Sequence, residues 1–251
     1  PRDPRPATLP PMSCANCGTA TVGTYCHGCG QRAAVPRLTV RGLLAHFGTE
    51  ITSLEQPLWR TLRGLARQPG VVASDYAAGK RLHYTNPVKW ALLCTSFSYV
   101  VGRATNARGP IDVGELDSAP AWLRPILEAI AGNAAMLFVL LLLPFAAVAM
   151  KLCFRRTGRT VAEEMVLVFY AYGFAALLQA ALGVVALLGI PGQIGGILPV
   201  VWTAWGAVAF HRQCAPLGAV GRTMLAHGLW VVMLVALALL GVGIAWLSGA
   251  L

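Results

Sequence analysis

Four cysteines near the start of the chain have a spacing that points directly to metal chemistry. They form two Cys-x2-Cys pairs, Cys14 with Cys17 and Cys26 with Cys29, and a glycine follows each pair. Four thiolates about 2.3 Å from one ion are a common structural zinc site. The spacing therefore predicts a zinc ribbon over residues 14–32, with Zn²⁺ as a structural cofactor. Two disulfides or a redox pair are the alternative, which the repeated Cys-x-x-Cys-Gly unit disfavours.

The surface of the predicted ribbon carries almost no charge. Between Cys14 and Gln31 there is no Lys, Arg, Asp or Glu. Neutralising phosphates with cationic side chains supplies most non-specific affinity for nucleic acid, so nucleic acid is not an expected partner. His27 lies within the second pair, but four cysteines already complete a zinc shell, so we expect His27 in an exposed loop. A protein partner at the ribbon, or a purely structural role, is expected instead.

Most of the remaining chain is apolar. The 251 residues are 56% hydrophobic and 12% charged, whereas a soluble domain is about a quarter charged. A membrane-crossing helix needs about 20 mainly apolar residues. The pattern predicts an all-α polytopic membrane protein whose membrane domain covers 88–251. Its five transmembrane helices are expected near 88–102, 126–150, 163–190, 196–211 and 224–250.

The distribution of cations predicts the orientation in the membrane. The formal net charge is +10, and eleven of the 20 Lys and Arg residues precede Trp90. Four more, Lys151, Arg155, Arg156 and Arg159, follow the second apolar stretch. Cytoplasmic loops are enriched in such residues, and thiolate ligands favour a reducing compartment. We therefore expect the inner membrane of a bacterium, with a cytosolic N-terminus and an external C-terminus.

Residues 37–87 are expected to form a cytosolic helical segment between ribbon and membrane. Apolar residues recur from Val40 to Leu65 in steps of three and four, which is typical of one helix face. Thr39 is a predicted N-cap, Pro57 a predicted kink and Pro69 a predicted stop. The arginines beside this face suit anionic lipid headgroups. Packing against the ribbon or a partner is the equal alternative.

A basic and aromatic cluster surrounds the start of the first predicted membrane helix, where Tyr84 and Trp90 are expected to be interfacial aromatic residues. The simpler interpretation is an orientation signal and headgroup anchor, as at many cytosolic membrane ends. The sharper interpretation is a contact site for an anionic headgroup or ligand, assisted by Asp75, Tyr76 and Asn86. The residues of this candidate site are Lys80, Arg81, Tyr84 and Lys89.

Ionisable residues in the apolar stretches have structural explanations. Thr160 and Glu163 match a capping box at the start of the third membrane helix. Glu128 is expected to pair with Arg124, and His227 to be an interfacial residue. No acid–base or nucleophile set is apparent, so no catalytic residue is predicted.

Three features resemble the bacterial membrane-protein family DUF3667. They are the "CANCG…YCHGCGQ" ribbon, the run "TLRGLARQPGVVASDYAAGKRLHYTNP" and the apolar helices that follow. The resemblance covers Cys14 to Val101 well and the later helices only by pattern. It implies a ribbon joined to a multi-pass membrane domain, and it implies no activity.

The favoured hypothesis is a non-enzymatic membrane scaffold that docks lipid or a partner. The alternatives are a transporter or export accessory for an apolar small molecule, and a membrane enzyme acting on a lipid-linked substrate. Residues 1–13 are expected to be disordered. Pro1 is compatible both with removal of an initiator Met and with a truncation. A homo-oligomer is kept as an alternative to a monomer.

Overall fold

A computed structural model describes residues 12–21, 23–49, 55–105, 138–186 and 197–247, and these residues are mostly helical. The Arg124–Glu128 pair and the start of the helix expected at 126–150 lie outside them. The strands are β1 (Met12–Ser13) and β2 (Ala20–Thr21). The helices are α1 (Val40–Thr49), α2 (Glu55–Arg67), α3 (Pro69–Ala77), α4 (Pro87–Ala104), α5 (Leu143–Cys153), α6 (Val161–Ala186), α7 (Leu198–Phe210) and α8 (Pro216–Leu247).

The N-terminal part of the fold is a small hairpin. Strands β1 and β2 pair antiparallel, with Met12 opposite Thr21 and Ser13 opposite Ala20. An isolated antiparallel bridge joins Tyr25 to Arg32. Residues 12 and 13, which the sequence assigned to a disordered segment, thus belong to the hairpin whose turn contains the first cysteine pair.

The described residues of the segment 37–87 form three helices, α1, α2 and α3. The Thr39 hydroxyl accepts a hydrogen bond from Gly42 N at 3.1 Å, which confirms the predicted N-cap of α1. Pro57 lies in the first turn of α2, where its missing N–H costs no helical hydrogen bond. Pro69 ends α2 as predicted and also begins α3, so the chain continues as helix in a new direction.

The apolar part of the chain packs around α6. Within the described ranges, two helices are long and apolar enough to cross a membrane, Val161–Val185 and Pro216–Leu237. Two shorter apolar helices cover Phe138–Cys153, where a π-helical turn precedes α5, and Leu198–Phe210. The last helix begins at Pro216, eight residues before the predicted start near 224, because proline suits the first position of a helix and no second proline interrupts the residues that follow.

Glycines set the closest approaches between helices. A Cβ at Gly173 would lie 2.6 Å from Trp90 Cδ1, so this glycine lets α4 pack against α6. The Trp90 indole N–H then donates to the Tyr170 carbonyl at 3.2 Å. Trp90 was expected at the membrane interface, but it is almost fully buried. A Cβ at Gly70 would lie 2.1 Å from the carbonyl oxygen of Gly206, which fixes α3 against α7.

Replacing Gly70 tests this crossing. Gly70→Ala should lower the free energy of unfolding by about 3 kcal/mol, because the added methyl group meets backbone that cannot move without separating two helices. Thermal unfolding of the purified chain in detergent measures the loss. Gly228→Ala is the matched control, since a Cβ there has no neighbour within 4 Å. Equal midpoints for the two variants would contradict the close approach of α3 and α7.

Candidate functional site

The two cysteine pairs have the same backbone geometry. In the first, Cys14 N donates to Thr19 O at 2.9 Å and Gly18 N donates to Cys14 O at 2.8 Å. The second repeats these bonds from Cys26 N to Gln31 O and from Gly30 N to Cys26 O, each 2.8 Å. Both glycines have positive φ, 78° and 75°, which other residues adopt at a cost. Each Cys-x2-Cys-Gly unit is therefore a tight turn that presents two sulfurs on one side.

The structure brings the four sulfur atoms together. Cys14 Sγ lies 3.6 Å from Cys29 Sγ, and Cys17 Sγ lies 3.5 Å from Cys26 Sγ. All four lie within 4.8 Å of one another, and all four cysteines are free thiols. Four sulfurs about 2.3 Å from a central ion in a tetrahedron are about 3.8 Å apart. These distances fit a four-thiolate metal site.

The surroundings pull the thiol pKa values of the cluster apart. The Thr19 hydroxyl, 3.2 Å from Cys17 Sγ, and the Thr19 backbone N–H lower the pKa of Cys17 to about 6. The backbone N–H of Cys17 lowers the pKa of Cys14. The N–H of Gln31 lowers that of Cys29, but burial and the adjacent thiols outweigh it and raise the pKa to about 11. Crowded thiolates repel one another, so a bound cation is what would allow all four to ionise.

The cluster is joined to the helical body by the side chain of Gln31. Its Nε2 donates to Gly79 O at 2.9 Å, and its Oε1 accepts from Arg81 N at 3.1 Å and Leu82 N at 3.4 Å. Gln31 is buried, so these bonds are made away from water. The α3–α4 turn is thereby held against the residue that follows the second cysteine pair.

Three further contacts hold the ribbon and its linker against the helical body. Gly79 has φ +109°, and a Cβ there would lie 3.2 Å from Ala15 Cβ in the first cysteine turn. The Arg81 guanidinium donates to Pro36 O at 2.6 Å. Arg37 Nε donates to Glu163 Oε1 at 2.9 Å at the start of α6. The ribbon and its linker thus rest on both α3 and α6.

The predicted ligand-contact residues take part in this architecture. Lys80 Nζ lies 2.9 Å from Asp75 Oδ1, and Tyr84 OH donates to Asp75 Oδ2 at 3.3 Å. Lys89 is buried in the first turn of α4. Three of the four predicted residues therefore make intramolecular contacts around one turn, namely Lys80, Tyr84 and Arg81. That arrangement explains their presence without a ligand.

Asn86 caps the helix that follows the turn. Its side-chain oxygen accepts from Val88 N at 2.9 Å, and its Nδ2 donates to Leu43 O at 3.3 Å.

Thr160 N donates to Glu163 Oε2 at 2.9 Å and Glu163 N to Thr160 Oγ1 at 3.3 Å, which confirms the predicted capping box of α6. Glu163 therefore serves both the cap and Arg37.

Sequence reasoning missed a buried ionisable pair. His211 Nε2 lies 3.2 Å from Glu164 Oε2, and both side chains are fully buried. The Phe154 ring stacks on the imidazole with centroids 3.9 Å apart. Neither Glu164 nor His211 was predicted to be a functional residue. The available signal was an acid and a histidine at adjoining ends of two consecutive apolar helices.

The fold and the cluster together define a helical protein with apolar candidate spanning helices and an N-terminal four-cysteine cluster that could hold a metal ion. A family model described as "Protein of unknown function (DUF3667)" matches residues 55–98. The match confirms the resemblance over residues 55–98, which are less than a fifth of the chain. A search of curated proteins and a search of solved structures each gave no match. The matched segment contains α2, α3 and the turn that receives Gln31.

The Gln31 joint predicts a specific loss of stability. Gln31→Ala should lower the free energy of unfolding by about 2 kcal/mol, because the Gly79 carbonyl and the Arg81 amide lose buried partners. Thermal unfolding in detergent measures the effect. His27→Ala is the control in the same turn, because His27 is exposed and should change stability by less than about 0.5 kcal/mol. A neutral Gln31→Ala variant would contradict the joint.

Proposed function

We propose that this protein is a membrane scaffold that holds a zinc ribbon rigidly at the cytosolic face as a docking head for a partner protein. The observation that carries the proposal is the buried Gln31 side chain, which ties the four-cysteine cluster to the turn between α3 and α4. A head on a flexible tether would need no such contact. A rigid head presents its exposed surface in one orientation to the membrane.

The chemistry of the cluster supports zinc in a structural role. Four cysteine thiols complete a tetrahedral shell and leave no open position for water or substrate, in contrast to catalytic zinc sites. Cys14, Cys17, Cys26 and Cys29 would hold the ion. The ribbon is too short to fold on a hydrophobic core of its own, so metal binding would supply its folding free energy.

The exposed surface of α8 supports a place in the membrane. The spanning window of α6 is 67% buried within the protein, whereas that of α8 is 17% buried. Large apolar residues on α8, including Leu225, Val232 and Leu240, are exposed. Apolar surface of this extent needs lipid or another protein as its cover. We assign lipid, because α8 is also long enough to span the bilayer.

Contacts between helix ends support the five-crossing topology. The start of α6 meets the end of α7 through Glu164 and His211, as expected for antiparallel neighbours. Arg222, near the start of α8, faces the Phe154 ring just after α5. The ribbon linker reaches this same end through Arg37 and Glu163. The ends that the positive-inside rule assigns to the cytosol therefore cluster together, and the helices expected near 88–102 and 126–150 would supply the first two crossings.

The proposal is tested with two cysteine-pair variants in native nanodiscs. Cys14→Ser/Cys17→Ser should lose the one zinc ion per chain, measured by elemental mass spectrometry, because a two-thiol site cannot complete the shell. Proteins that copurify with the wild type should be lost in this variant. Cys94→Ser/Cys153→Ser removes two thiols outside the cluster and should keep both zinc and partners.

Three results would overturn the proposal. Zinc that persists in Cys14→Ser/Cys17→Ser would refute the ligand set. Copurifying proteins that are identical in both variants would show that the ribbon is not the docking head. Recovery of the wild-type chain outside the membrane fraction would refute the anchoring.

A further inference from the structure

A wide groove lies between α2 and α3. Its volume is about 990 Å³, and the side chain of Tyr84 closes one end. One wall carries Arg60, Arg63 and Arg67, and Trp59 stands at its rim. These residues belong to the DUF3667 segment but lie away from the cysteine cluster and the Gln31 contacts.

The charge of the groove is uniformly positive. Arg60, Arg63 and Arg67 are spaced three and four residues apart, so they share one helix face, and all three are exposed. None of the described residues that line the groove carries a carboxylate. The nearest acid on the Tyr84 side is Asp75, which Lys80 already neutralises at 2.9 Å. Three adjacent guanidinium groups on one exposed helix face attract anions.

The same groove has an apolar floor. Leu58, Val71 and Val72 line it, and Gly64 allows α2 to approach α3 so closely that a Cβ would lie 2.7 Å from Val72 Cγ2. Trp202 Nε1 donates to Leu65 O at 3.3 Å, so the wall is anchored on α7. The groove is therefore a built feature at the membrane body, with cations above and hydrocarbon below.

The rim also lacks competing charge from histidine. Burial, followed by the neighbouring Arg60 and Lys80, holds the pKa of His83 below its ordinary value despite the opposing effect of Asp75. His83 Nδ1 lies 3.4 Å from an Arg60 nitrogen, which suits a neutral imidazole. Arg60 thus keeps its positive charge without competition from a charged imidazole. Trp59 is 70% exposed beside it, as expected of an aromatic residue at a lipid interface.

We propose that this groove binds one anionic phospholipid, with the phosphate between Arg60, Arg63 and Arg67 and the first acyl carbons on the Leu58–Val72 floor. Guanidinium groups bind phosphate through paired hydrogen bonds, and the exposed indole lies at headgroup depth. The site rests on the proposed membrane location and identifies a lipid class as ligand. A soluble phosphate would use the cations but leave the apolar floor uncovered.

The test uses the full chain, extracted from the membrane fraction into neutral detergent and titrated with single lipids under native mass spectrometry. Phosphatidylglycerol should bind with one preferred site, and phosphatidylcholine should not show it. The Arg60→Gln/Arg63→Gln/Arg67→Gln variant should bind phosphatidylglycerol about 100-fold more weakly, given roughly a fivefold effect per arginine. The control Arg41→Gln/Arg155→Gln/Arg156→Gln removes the same charge elsewhere and should keep the site.

Each other outcome overturns the proposal. Equal weakening by both triple variants would mean non-specific attraction by net charge. Equal binding of both lipids would mean a purely apolar surface. A separate titration with inorganic phosphate should give no adduct, and a phosphate adduct that displaces phosphatidylglycerol would assign the groove to a soluble anion. Absence of the wild-type chain from the membrane fraction would instead refute the membrane anchoring, so the two failures are distinguishable.

Discussion

The rest of the structure depends on the hydrogen bonds of one buried amide. Gln31 both donates to Gly79 and accepts from Arg81 and Leu82. A buried amide without partners costs about 1–3 kcal/mol. The docked arrangement is therefore more stable than any alternative in which these groups are buried without hydrogen-bond partners. Because Gln31 follows Cys29 closely, its position depends on how the second cysteine pair is folded. Metal binding is thus coupled to the orientation of the ribbon on the helical body, because Gln31 lies only two residues after the ligand Cys29.

The DUF3667 segment acts as the receiving part of this joint. Its turn uses Gly79 for a conformation with positive φ, Lys80 to neutralise Asp75, and Asn86 to begin α4. The Tyr170 hydroxyl on α6 donates to the Thr85 carbonyl at 2.6 Å, which carries the turn onto the helical core. The basic and aromatic residues of the predicted ligand site, such as Lys80 and Tyr84, thus make contacts within the protein, here with Asp75. The free cations lie one helix earlier, in the α2–α3 groove.

Local signals in the sequence predicted much of this arrangement. The cysteine spacing predicted the cluster, Thr39 and Thr160 predicted helix starts, and hydrophobic runs predicted the apolar helices. These features depend on residues close together in the chain. The Gln31–Gly79 and Glu164–His211 contacts join residues about 50 apart, so neither periodicity nor spacing indicates them. The burial of Trp90 was missed for the same reason, because it depends on the absent side chain of Gly173 on another helix.

The most direct test of the account is hydrogen exchange in the full chain, compared between the zinc-loaded form and the form stripped by a chelator. Exchange at the amides of Arg81 and Leu82 should speed up on stripping, because Gln31 Oε1 accepts from both and loses its place when the second cysteine pair unfolds. Amides in the middle of α6 should not change, which controls for global unfolding. Unchanged protection at Arg81 and Leu82, alongside faster exchange at Gly18 and Gly30, would show that the ribbon folds independently of the body and would contradict the account.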